Sequence, residues 1–189
     1  MIQLRPRLLS AVLSLVLPLA AASCAEPFTP PPPGPLLFEV ESINFAWGRH
    51  WSGFVVDADG KVYAYDLSKT DLMPQQGDEF TAAELETKYA RERRLVATVS
   101  AAEVASRYAA VGGAIAGRLS APHGVCADAG ITRFTALLYD ASTGRYRRIL
   151  LHQRGNVART NTAPTARELY QWLAGVTQAE STGCEPSTE

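Results

Sequence analysis

The chain has 189 residues, 47% of them hydrophobic and 20% charged, with 18 basic and 19 acidic side chains and a net charge of −1. That length suits one domain with a real core. The near-even charge balance argues against a nucleic-acid partner, for which a basic excess is expected.

Residues 1–7 carry Arg5 and Arg7 and no acid, and residues 8–19 are almost wholly apolar. A charged start and a short apolar run form a secretory signal, too short for a permanent membrane span. The run Leu19-Ala20-Ala21-Ala22-Ser23-Cys24 follows. It resembles the lipobox of bacterial lipoproteins, with Ala21 where such boxes usually carry leucine. The resemblance implies cleavage of residues 1–23, acylation of Cys24 (palmitate among the acyl groups) and attachment to a membrane. Ala25 next to it would direct the chain to the outer membrane in the enteric scheme. An ordinary signal peptidase cut before Ser23 is the competing reading. Losing the two leader arginines takes the net charge from −1 to −3.

Cysteine parity favours the lipoprotein cut. With Cys24 acylated, Cys126 and Cys184 remain as a pair for an oxidising compartment. Their bridge would close a loop of nearly sixty residues, for which the chain-entropy model assigns about 4 kcal/mol. The alternative leaves both thiols reduced. Residues 26–35 read EPFTPPPPGP, a polyproline II spacer that would hold the domain roughly 30 Å from a lipid anchor at about 3.1 Å per residue. The expected organisation is therefore a leader at 1–23, an acylated cysteine with its linker at 24–35, a domain at 36–178 and a polar tail at 179–189.

Within the domain, residues 36–45, 51–57 and 61–66 predict a three-stranded meander, its second turn at Ala58-Asp59-Gly60. Aligning Gly60 with the glycine of a calcium loop puts Val55 at the first acidic position, so this is a turn. Residues 66–80 read as a loop. Thr81 and Glu84 form a capping box that opens a helix to about residue 93. Residues 95–99 are a short β-branched run, a candidate strand.

Ser100 and Glu103 form a second capping box, opening a helix to about residue 119. Gly112 and Gly113 weaken its centre or mark close packing, and Gly113 and Gly117 have the spacing for it. Residues 132–139 and 145–152 predict a second hairpin. Pro164 suits the first turn of a last helix whose face is Ala166, Leu169, Tyr170 and Leu173, ending near Gly175. The fold class is α+β: an antiparallel sheet of about five strands, with about three helices packed on one face.

Motifs for chemistry are sparse. His50, His123 and His152 lack zinc-site spacing and there is no C-x-x-C, so neither metal nor cofactor is expected. A pairing of His123 with Cys126 as metal ligands or nucleophile competes with the disulfide. No G-x-S-x-G elbow or phosphate-cradling glycine loop occurs. Asp57 with Asp59, and Asp78 with Glu79, read as turn and helix-start acids.

Two sets remain as candidate binding surfaces. Phe45, Trp47, Trp51 and Phe54, with Tyr63 and Tyr65, are either a recognition patch or core packing. Arg145, Arg147, Arg148, Arg154 and Arg159 are either a site for peptidoglycan carboxylates or lipopolysaccharide phosphates, or a solvated sheet face. Arg145 and Arg147 share one strand face, and Arg148 takes the other.

The expected function is a lipid-anchored cell-envelope protein, a non-enzymatic binding module for an envelope protein or glycan. Its catalytic residues are unknown if it is instead a cell-wall or envelope hydrolase, with groups that converge only in the fold. Residues 128–173 resemble uncharacterised secreted bacterial proteins in carrying a hairpin followed by a helix with Trp172-Leu173, and that resemblance implies no activity.

Overall fold

The computed structural model describes residues 36–74, 77–90, 93–124 and 126–179. The leader, Cys24, the proline-rich spacer, Cys184 and the tail from residue 180 lie outside the described residues. In chain order the elements are β1 (Leu36–Asn44), β2 (His50–Asp57), β3 (Lys61–Asp66), β4 (Glu79–Thr81), α1 (Ala82–Tyr89), β5 (Arg93–Thr98) and α2 (Ala101–Ala109). There follow α3 (Val111–Ile115), β6 (His123–Gly124), β7 (Ile131–Asp140), β8 (Arg145–Gly155), β9 (Val157–Thr160) and α4 (Pro164–Thr177).

The class is α+β, but the described sheet has nine strands rather than about five. Its order is β5-β3-β2-β1-β7-β8-β9-β6, with β4 added to β8. The named pairs are all antiparallel. The extra strands are short: β4 has three residues, β6 two and β9 four. Such lengths carry no readable alternation, and ladder partners on β8 and β9 define them.

The two expected hairpins form. At the first, the Asp57 carbonyl accepts from Gly60 N–H at 3.1 Å and the Asp57 carboxylate from Lys61 N–H at 2.8 Å. At the second, the Asp140 side chain accepts from Ser142 N–H at 2.8 Å and Thr143 Oγ1 at 3.0 Å.

The helix opened at Thr81 ends at Tyr89 rather than near residue 93, where β5 already begins, and the helices need three further corrections. The helix expected to reach residue 119 breaks at Ala110 and ends at Ile115. Beyond it the backbone joins the sheet instead, through a bridge from Leu119 to Asn161. The small residues there allow close approach: a Cβ on Gly117 would lie 1.9 Å from Asn161 Oδ1, and one on Gly113 2.8 Å from Thr165 Oγ1. The last helix runs through Gly175 to Thr177, and the chain turns where Gln178 adopts φ 48°.

Third, helices cover both faces of the sheet. On one face Phe38 and Val40 of β1 meet Phe134, Ala136, Ile149 and Leu151. Val104 and Tyr108 of α2, Val111 of α3, and Ala166, Leu169, Trp172 and Leu173 of α4 close over them. Trp172 Nε1 also donates to Glu103 Oε1 at 2.8 Å. On the other face Trp51, Val55, Tyr65, Leu137 and Tyr146 pack with Phe80 and with Leu85 and Tyr89 of α1. The amphipathic stripe of α1 needs apolar cover as much as the others do, and the second face supplies it.

Candidate functional site

Alternation along β1 places Glu39 and Glu41 on one face, two residues apart. That face lies under α1, so both carboxylates are buried, at 0% and 3% exposure. Buried ions are costly unless paired and hydrogen-bonded. Lys88, from the last turn of α1, donates to Oε1 of Glu39 and Oε1 of Glu41, each at 2.8 Å. Tyr65 donates to Glu39 Oε1 at 2.9 Å, and the Tyr89 hydroxyl donates to the same atom. Trp51 Nε1 donates to Glu41 Oε1 at 3.0 Å. Arg148 adds charge beside Glu39 Oε2 at 3.5 Å, and Arg133 beside Glu41 Oε2 at 3.5 Å.

Gly53 makes this possible. It pairs with both Glu41 and Tyr65, and a Cβ there would sit 2.7 Å from the Tyr65 hydroxyl and 2.0 Å from the Val40 carbonyl oxygen. Without a side chain, the tyrosine lies across the strand and reaches Glu39.

Burial pushes the Glu39 carboxyl up, but Lys88 and Arg148, with the hydrogen bonds from Lys88 and Tyr89, outweigh it and hold the group at about 2. Burial, then the charge of Glu39, raises the Tyr65 and Tyr89 hydroxyls well above their ordinary values. Glu39 is thus a fixed anion near neutral pH, ringed by tyrosines that keep their protons. Such a group anchors charge.

Where cover by α1 and the preceding loop stops, this sheet face opens into a groove of about 680 Å³. Its lining includes Ile43, Ile131, Arg133, Arg148, Leu150, Gln153 and Arg159 on the strands, with Phe45, Met73, Asp78 and Leu119 from the connections. The volume falls within the roughly 300–1,000 Å³ of small-molecule sites.

A second hollow, about 900 Å³, lies at the β7–β8 hairpin and is lined by Arg145, Arg147, Tyr108, Ile115 and Tyr139 among others. Arg145 there faces Glu79 at 3.5 Å and Glu84 at 3.9 Å. Its charge is already balanced locally.

The residues singled out in the sequence are dispersed. Trp51 is 1% exposed and belongs to the buried ionic cluster, not to a surface, while Trp47 is 81% exposed on the β1–β2 connection. Trp47 stands at the Ile131 end of β7 and Arg145 and Arg147 at the Asp140 end. Ten residues of strand separate them by about 30 Å. The arginine set divides three ways. Arg145 and Arg147 line the hairpin hollow, Arg148 and Arg159 line the groove, and Arg154 lies over Phe134 on the other face.

His50 and His123 are exposed, and His152 stacks on Tyr170 at 4.3 Å. Among the described residues no cluster of His, Cys, Asp or Glu could hold a metal. Cys126 lies between β6 and β7, and its expected partner Cys184 lies outside the described residues. No described helix is long and apolar enough to cross a membrane.

Sequence reasoning missed Glu39, Glu41, Lys88 and Arg133. The one signal was the alternation Phe38-Glu39-Val40-Glu41, which reads equally well as a strand with a solvated face.

An α+β domain with an ionic layer on one sheet face and a basic, apolar-rimmed groove beside it is thus the class of molecule that fold and site define. No protein-family model, no curated protein and no solved structure matches the chain.

Proposed function

We propose that the chain is a cell-envelope protein, anchored through acylated Cys24 on the outer membrane, whose domain is a non-enzymatic binding module for another envelope component. The observation that carries the binding role is the groove: arginines from three neighbouring strands open into one concavity beside carboxylates committed to buried pairing. The lipobox-like run and the proline-rich spacer support the tether. The Cys126–Cys184 bridge belongs to the same reading, and peptide mapping without reductant yields the linked pair if it forms.

Two measurements test the function. Mass spectrometry of the mature N-terminal peptide shows a diacylglyceryl thioether on Cys24, and Cys24→Ser releases the chain from the membrane pellet. A photo-reactive side chain in place of Leu119 at the groove captures an envelope component in cells, whereas one in place of Lys61 does not. Equal capture from both positions, or from neither, removes the groove as the binding surface.

A further inference from the structure

Arg133, Gln153 and Arg159 stand side by side on β7, β8 and β9, because Arg133 pairs with Gln153 and Gln153 with Arg159. Paired residues share a face and lie about 5 Å apart, so the three make one row of donors. Gln153 fixes the row, accepting from Arg133 Nε at 3.2 Å and donating through Nε2 to the Val157 carbonyl at 2.9 Å. Arg148, with a side chain only 7% exposed, adds a further guanidinium from β8. Among the described residues, Nε of Arg148 and Nε of Arg159 have no hydrogen-bond partner.

The carboxylates beneath do not close on these arginines. Lys88 holds both Oε1 atoms at 2.8 Å, whereas the Oε2 atoms meet arginine nitrogens only at 3.5–4.0 Å. Closed N–H···O pairs between charged groups sit at about 2.7–2.9 Å. Four cations, Lys88, Arg133, Arg148 and Arg159, stand against three carboxylates, Glu39, Glu41 and Asp78. One positive charge is left for a ligand.

The rim has the opposite character. Phe45, Met73 and Leu119 are 43%, 65% and 39% exposed, and all three border this groove. They are three of the seven large hydrophobic side chains exposed among the described residues, so apolar surface gathers where the guanidinium forks do. Arginine forks match the planar oxygens of carboxylate and the oxygens of phosphate.

We infer that the groove binds an amphiphilic oxyanion. Its carboxylate or phosphate head sits on Arg133, Arg148 and Arg159, and its apolar body lies against Phe45, Met73 and Leu119. This deepens the binding-module reading and rests on it.

The test is calorimetric titration of the full chain carrying Cys24→Ser. The probes are dodecyl phosphate and dodecanoate below their micelle concentrations, inorganic phosphate, and the neutral detergent dodecyl maltoside. At least one dodecyl anion binds ten or more times more tightly than both phosphate and the maltoside. Arg159→Gln weakens that binding at least tenfold, and so does Leu119→Asp. Arg147→Gln, in the other hollow, leaves it unchanged.

Arg159 is chosen because it lies outside the buried Glu39–Lys88 cluster, and circular dichroism checks that both weakened variants stay folded. Phosphatidylglycerol vesicles against phosphatidylcholine vesicles separate a bilayer headgroup from a free amphiphile. Binding of either source that Arg159→Gln abolishes supports the proposal. Equal binding of the maltoside, or full binding by Arg159→Gln, overturns it. If no dodecyl anion and no vesicle binds while the photo-reactive groove still captures an envelope component, the ligand class is wrong and the binding-module reading stands.

Discussion

The two faces of β1 are built on opposite principles. One presents Phe38 and Val40 to a dry core under α2, α3 and α4; the other presents Glu39 and Glu41 to Lys88, two tyrosines and two arginines under α1. The apolar face is non-directional, and stability there scales with area removed from water. The ionic face is cooperative: each group is tolerable only because the others are in place.

The comparison can be broken from either side. Lys88→Met leaves two buried carboxylates short of their nearest cation and costs about 3–5 kcal/mol, read by urea denaturation. A loss under about 1 kcal/mol would show that the cluster is not coupled. On the dry face, Phe38→Ala costs about 3–5 kcal/mol through lost burial and the cavity left behind. That loss is the same at pH 3 and pH 7, whereas the effect of Lys88→Met changes between them.

Acid separates the faces more directly. The Glu39 carboxyl is lowered to about 2 in the fold, against 4.5 ordinarily. Its contribution is therefore present in full above pH 4.5 and lost as pH falls toward 2. Denaturation midpoints followed from pH 5 to pH 2 fall more steeply for the native chain than for Glu39→Gln; parallel curves would refute the assignment.

Smaller effects follow at the edges of the comparison. Trp172→Phe removes the hydrogen bond to Glu103 at 2.8 Å and costs about 1 kcal/mol. Arg145→Ser costs at most about 1 kcal/mol, because its pairs with Glu79 and Glu84 are partly exposed and screened. A loss well above that in thermal denaturation would give the hairpin hollow a structural role not apparent from its contacts.

The same contrast explains what the sequence made legible. Both hairpins and both capping residues, Thr81 and Ser100, follow from local chemistry, in which turn and cap residues act on neighbours within a few positions. The close approach marked by Gly113 and Gly117 was also readable. Glu39 was not, because its meaning depends on Lys88, forty-nine positions away, arriving on a helix over that face. Nor could spacing show that Arg133, Arg148 and Arg159 converge while Arg145 and Arg147 face another hollow. Convergence across β7, β8 and β9 is a property of register, and the bulge at Phe134/Thr135 in the β7–β8 ladder shifts it.

The edges of the sheet have a different consequence. β6, at one end, is two residues long and offers almost no template for another chain. β5, at the other, is six residues long with Leu95 and Val96 exposed, and it would invite edge-to-edge pairing. Arg93 and Arg94 open that strand, and Arg93 lies over the Tyr63 ring at 4.9 Å. Charged residues at an edge disfavour pairing with a second copy, and Arg93 is also held 3.9 Å from Glu86. The charge on this edge sits where strand pairing would begin, so a chain stripped of both arginines would keep its fold and expose the edge to pairing with a second copy.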